Sequence, residues 1–279
     1  MVALVVGSVI GVVLGLTGAG GSVLAVPLLI FAVSLPPNIA VALSLATVFV
    51  AASIGVATRL RHKEIVWMPA VFFAAGGMLF APVGVGLAPH IPTSIHMSSF
   101  ALIMLVIAIR MLVQSIRSPE ATNVVRARSD GSKEVSNPIC PLSDSNRLEP
   151  RFKCISLLAL SGALTGVLSG IYGVGGGFLI VPILTAVTQL NMRHAVGTSL
   201  FVITLISGMG FLSYLVNQPS ELLLENQVSW IVISGAVCGM LVGTLLSRRI
   251  AGPRLQQIFV AAIFTMAVFT LFNLDSISV

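Results

Sequence analysis

Gly18-Ala19-Gly20-Gly21-Ser22, set inside an apolar run and closed by Pro27, decides the fold of this chain because it occurs twice. A shift of 155 residues lays Gly18, Gly20, Gly21 and Pro27 on Gly173, Gly175, Gly176 and Pro182. Over the window 7–45 the two copies agree, ungapped, at 16 of 39 positions. The agreement reaches upstream, through Gly7, Gly11 and Gly15 on Gly162, Gly166 and Gly170. It also runs downstream, through Ala40-Val41 and Ser44-Leu45 on Ala195-Val196 and Ser199-Leu200. The chain is an internal duplication.

Around that motif the composition is 56% hydrophobic and 9% charged, with a mean hydropathy of +1.05. So few polar side chains cannot cover a water-soluble globule, and the chain reads as a membrane protein. Residues 1–16 carry no basic segment, and their glycine spacing recurs in the second copy. They are expected to belong to the fold rather than to a cleaved signal, with Met1 starting the mature chain. Cys140, Cys154 and Cys238 form no CxxC pair and lie near no histidine cluster, so all three read as inert and no metal is expected. The net charge of +6 sits in short loops without interleaved aromatics, which favours membrane orientation over nucleic-acid binding.

Read outward from the first glycine cluster, residues 2–33 form two apolar pieces that each reach only about 18–22 Å as helix. Neither spans a hydrocarbon core of ~30 Å. A turn at Ser34–Asn38 follows, then helices over 39–58, 65–88 and 95–115, with Arg59, Arg61, His62 and Lys63 between the first two and Pro89 to Pro92 between the last two. Arg110 can snorkel to water. Residues 116–153 hold seven Lys/Arg and five Asp/Glu and read as a solvated linker. The second half repeats the order: a broken stretch over 154–188, a turn at Asn191, and helices near 195–215, 228–247 and 255–273. Gly77-Met78-Leu79 loosely resembles Gly239-Met240-Leu241. The expected division is therefore a first transmembrane repeat 1–115, a cytoplasmic linker 116–153 and a second repeat 154–279.

Charge weighs between two topologies. If each broken stretch crosses the membrane as two short helices, the 15 Lys/Arg divide 11 to 4 between the faces. If each returns to its starting side, all 15 fall on one face, as positive-inside placement favours. The favoured fold is an all-α polytopic membrane protein of two inverted repeats. Each repeat is a broken, glycine-rich re-entrant helix pair plus three transmembrane helices.

Re-entrant backbone is tolerated at membrane depth only where it is buried in protein or lines a polar cavity. Glycine permits positive φ at such a tip and lets N–H groups approach a ligand. Helices restarting near Ser22 and Gly177 would aim unpaired N–H groups and a positive dipole end at the break, which suits an anion. Inverted repeats would bring both tips together near the midplane. The candidate substrate-binding residues are Thr17, Gly18, Gly20, Gly21 and Ser22 with Ser44 in the first copy, and Tyr172, Gly173, Gly175, Gly176 and Gly177 with Thr198 and Ser199 in the second. Thr47 also lies at the start of the helix after the first tip. Small and hydroxylated residues also pack membrane helices, and the Gly7/Gly11/Gly15 and Gly162/Gly166/Gly170 ridges read as packing surfaces. No Gly-Lys-Ser/Thr follows either cluster, so a nucleotide P-loop fails. No Asp or Glu lies inside a span, which leaves no catalytic residue and argues against an enzyme. His96 and His194 at helix starts read as interfacial. No cofactor is expected.

Two copies of G-x-G-G-[GS]…P, each followed by A-V-x-x-S-L, resemble the sulfite exporter TauE/SafE family, also called TSUP, over the whole chain apart from the linker. The resemblance implies a multi-pass bacterial inner-membrane transporter of sulfur-containing anions such as sulfite and organosulfonates. The residues alone reach only a small, weakly basic anion as substrate, with the lipid bilayer as the other partner, and alternating access around the paired tips is the expected mechanism. An anion-selective channel and a non-transporting scaffold of a sulfur-assimilation system are the alternatives. Substrate, direction, coupling ion and oligomeric state stay open. Ser22 stands where the second copy has Gly177, so the tips are chemically unequal and suited to different ends of an asymmetric substrate.

Overall fold

A computed structural model describes residues 1–18, 21–117, 152–188, 192–217 and 227–247, together with 261, 264–267 and 270. Its helices are α1 (Val2–Thr17), α2 (Gly21–Phe31), α3 (Pro37–Leu60), α4 (Trp67–Leu87), α5 (Thr93–Arg117), α6 (Phe152–Tyr172), α7 (Gly177–Thr188), α8 (Met192–Asn217) and α9 (Gln227–Ser247). A single 3-10 turn, Ala88–His90, follows α4. Among the described residues there is no strand, and α3, α4, α6, α8 and α9 are long and apolar enough to cross a membrane. Leu79, Val83, Val242 and Leu245 turn outward from α4 and α9, where large apolar side chains suit lipid and not water. The protein is an all-α, multi-pass membrane protein.

The breaks fall at the two glycine clusters. α1 ends at Thr17 and α2 starts at Gly21, while α6 ends at Tyr172 and α7 starts at Gly177. α3 begins two residues before the expected position because Pro37 occupies its first turn, where a missing N–H leaves nothing unsatisfied. The expected helix 255–273 lies mostly outside the described residues, as do the turn at Asn191 and most of the linker. One expectation of length needs correcting in the second copy. α6 has 21 residues, about 31 Å at the usual helical rise, so unlike α1 it can span a membrane alone. Its excess precedes Leu157, which the 155-residue shift lays on Val2. A second correction concerns cysteine: Cys154 is buried and disulfide-bonded. Pairing needs only Cα atoms within about 7 Å, which sequence spacing does not encode.

Each broken segment packs on the other half of the chain. The α1 ridge runs parallel to α9, with Gly7 against Val232, Gly11 against Ala236 and Gly15 against Met240. Likewise α6 runs parallel to α4, with Gly162 against Phe73, Gly166 against Gly77 and Gly170 against Ala81. A methyl on Gly11 or Gly166 would strike the facing carbonyl, so these backbones meet at a distance only glycine allows. The packing also resets the register between α4 and α9. Gly76 and Gly235 hold equivalent places, as do Gly84 and Gly243, facing Ala159, Leu4, Val167 and Val12. The resemblance of Gly77-Met78-Leu79 to Gly239-Met240-Leu241 is thus three residues out of step, because the glycines face different positions on their partners.

Between these two interfaces α3 lies against α8. Leu45 meets Gly210, Phe49 meets Gly208 and Leu200 meets Gly55, while the Tyr214 hydroxyl donates to the Asn38 carbonyl at 3.1 Å. Rising numbers on α3 pair with falling numbers on α8, so the two helices are antiparallel.

Candidate functional site

Both breaks open with the same device. Gly18 takes φ 73° and donates its N–H to the Leu14 carbonyl at 2.8 Å, and Gly173 takes φ 70° and donates to Ser169 at 2.8 Å. A left-handed residue of this kind ends a helix and turns the chain aside. The carbonyls so exposed are caught by the opposite copy. Ser44 on α3 donates to the Gly173 carbonyl at 2.7 Å, and Ser199 on α8 donates to the Gly18 carbonyl at 3.2 Å and to Val196 at 2.9 Å. These two serines, expected as substrate hydroxyls, give their protons to the backbone of the tips.

Depth follows from these contacts. Gly18 rests on Val196, near the start of α8, and Gly173 on Val41, near the start of α3. Because α3 and α8 are antiparallel, with Val48 level with Ser207, Val41 and Val196 lie toward opposite ends of the pair, roughly 27 Å apart by helical rise. The first residues of the tips therefore do not meet at the middle, contrary to expectation. From there the second tip climbs inward. The Cβ position of Gly175, at φ 65°, lies 2.8 Å from Ser207 Oγ and 3.0 Å from Val48 Cγ1, halfway along both helices. Gly176 follows at φ 68°, its Cβ position against Thr165 and 3.7 Å from the Ser169 Cβ. α7 then starts at Gly177, so its N-terminal end opens at the centre of the bundle.

At the first tip Gly20 lies outside the described residues. Its neighbour Gly21 is already the first residue of α2 and has no positive φ. Space dictates glycine there, since its Cβ position lies 2.5 Å from the Leu14 nitrogen and 2.6 Å from the Ile10 carbonyl oxygen. Ser22 is fully buried behind it.

Other candidate hydroxyls have structural partners. Thr17 donates to the Val13 carbonyl, and Tyr172 donates to Ser99 Oγ on α5 at 2.9 Å while stacking on Phe100. Thr198 accepts the N–H of Val66, which precedes α4, at 3.1 Å. His194 Nδ1 lies 3.1 Å from the Glu64 carbonyl, and His96 sits edge-on to Tyr172 at 5.2 Å. Arg59 and Glu64 pair at 2.9 Å beside the start of α8.

Missing from the sequence reading are Thr165, Ser169 and Ser207, which line the second tip. Their counterparts in the first copy, by the 155-residue shift, are the buried Ile10, Leu14 and Ala52. The 155-residue shift held that signal, since three apolar positions in one copy are hydroxylated in the other.

Broken helices whose ends lie inside a packed membrane bundle are found in membrane transporters and channels. The profile of the family described as "Sulfite exporter TauE/SafE" matches residues 3–270, and the chain belongs to that family of membrane transporters. A probable membrane transporter protein of Xylella fastidiosa is 28% identical over 270 residues, covering 96% of this chain and 93% of its own length. One from Methanocaldococcus jannaschii is 29% identical over 218 residues, with 76% and 71% covered. Another, from Bacillus subtilis, is 24% identical over 266 residues, with 95% and 96% covered. No solved structure matches the chain.

Proposed function

We propose that this transporter carries a small sulfur oxyanion or organosulfonate across the bacterial inner membrane, by alternating access around its paired glycine tips. One observation carries the reading: α7 opens at mid-bundle, next to three glycines at positive φ. Such a helix end presents unpaired N–H groups and a positive partial charge where lipid would offer nothing, and an anion is the natural complement. The printed family name supplies the chemical class of the cargo.

The two copies act as inverted repeats, 1–115 and 154–279, joined by the cytoplasmic segment 116–153. In support, α3 and α8 are equivalent in the duplication yet antiparallel, and the ridge of each copy packs on the fourth helix of the other, α1 on α9 and α6 on α4. A motion that moves α1 with α9 against α4 with α6 would expose the tips to each side in turn. In this topology the start of α3 and the end of α8 face the periplasm. Single cysteines at Pro36 and Asn217, in a cysteine-free background, should both react with an impermeant thiol reagent in intact spheroplasts. Labelling on opposite sides would break the inverted arrangement.

The decisive experiment is uptake into proteoliposomes of labelled sulfite, thiosulfate, sulfate and an alkanesulfonate. Saturable flux with counterflow of at least one sulfur anion is expected. Flux linear in substrate would identify a channel, and absence of flux across the panel would overturn the transport of these anions.

A further inference from the structure

Serine and threonine in an apolar helix ordinarily turn their hydroxyl back to the carbonyl one turn earlier. This chain follows the rule repeatedly: Thr165 donates to Ser161, Thr204 to Leu200 and Ser207 to Ile203. Thr47 and Ser169 do not. Both side chains are buried, at 0% and 1% exposure, and neither hydroxyl has a hydrogen-bond partner. A buried hydroxyl without a partner is uncommon in a folded protein and calls for something to receive its proton.

Ser169 lies against the second tip, and Thr47 lies on the face of α3 that meets it. The Ser169 Cβ is 3.7 Å from the Cβ position of Gly176, and its carbonyl receives the Gly173 N–H. Thr47 stands between Ser44, which holds the Gly173 carbonyl, and Val48, which touches Gly175, so it shares their face of α3. We propose that Thr47 and Ser169 donate hydrogen bonds to the oxygen atoms of the transported anion, at the N-terminus of α7. This rests on the anion-transport reading above and makes the site one-sided. The equivalent positions at the first tip are Leu14 and Val202, which have nothing to donate. An organosulfonate would therefore bind with its oxygens toward the second tip and its carbon toward the first.

The test is binding of sulfite and of methanesulfonate to the purified full-length transporter, read by calorimetry and by ligand-induced thermal shift. Thr47→Val and Ser169→Ala should each weaken binding about tenfold, as loss of a hydrogen bond to a charged group does. The double variant should lose measurable binding. Thr204→Val, which removes a back-bonded hydroxyl, should bind normally. If valine is not tolerated at 47, Thr47→Ala and Thr47→Ser both lose the methyl, and only the alanine variant should lose affinity. Wild-type affinity in the folded double variant overturns the proposal and leaves the anion reading standing. A wild-type protein that binds neither probe overturns both.

Discussion

At the first tip Gly18 hands its carbonyl to Ser199, and at the second Gly173 hands its own to Ser44; further in, the likeness stops. The second tip keeps two more residues at positive φ and is surrounded by Thr165, Ser169 and Ser207. The first resumes its helix at Gly21, which packs on Ile10 and Leu14, and the duplication lays Ala52 on Ser207. What the copies share is the construction of a break: a left-handed glycine, a carbonyl pushed out of the helix, and a serine from the other copy to receive it. What they do not share is hydrogen-bonding capacity beyond the break. Duplication has preserved the element that must be built and left each lining free to specialise.

The sharpest way to break this comparison is to fill the second tip. Gly176→Val combines a left-handed conformation unfavourable to branched side chains with a clash against Thr165, and should abolish substrate flux in proteoliposomes while the protein still inserts. Persistent flux would move the site elsewhere. Charge tests the first tip next. Ser22→Asp puts a carboxylate in the first turn of α2, where it takes the helix end for itself and repels an arriving anion. Sulfite affinity should fall by a factor of about thirty, some 2 kcal/mol, whereas Ser22→Ala should cost no more than about threefold. Equal affinities in the two variants would separate α2 from the anion altogether.

Smaller effects probe the shared construction. Gly11→Ala and Gly166→Ala each push a methyl into a facing carbonyl, and each should destabilise by about 1–3 kcal/mol in a detergent melt, leaving the affinity of folded protein unchanged. Smallest of all, Ser44→Ala and Ser199→Ala should lower stability by about 1 kcal/mol apiece. Clearly unequal losses would show that the two caps, matched in sequence, are not matched in load.

Much of this architecture is readable from residue types. Glycine, proline and the shift of 155 residues mark the breaks and most helix ends, because those residues act on their own backbone. What a residue meets across 100 or more positions is harder to read. Ser44 and Ser199 sit where either a ligand or a carbonyl could take the proton, and only packing reveals the carbonyl. Thr47 and Ser169 look like any helical hydroxyl until their missing back-bonds are seen. The false match of Gly77 to Gly239 arose because glycine on a helix signals close approach without saying to what. Cys154 was unreadable for a related reason, since pairing is a property of two positions.

The crossed packing of the copies also sets an order of assembly. Gly162, Gly166 and Gly170 emerge from the ribosome when their partner α4 is already in the membrane, 89 positions behind at the Phe73–Gly162 contact. Gly7, Gly11 and Gly15 come earlier and must wait for α9, 225 positions ahead at the Gly7–Val232 contact. Until then the notched face of α1 is without its partner helix. Of the two ridges, the one synthesised earlier is thus the later to be fixed in place. Two separately made halves carry the same complementary faces, so mixing them in one membrane should rebuild the whole.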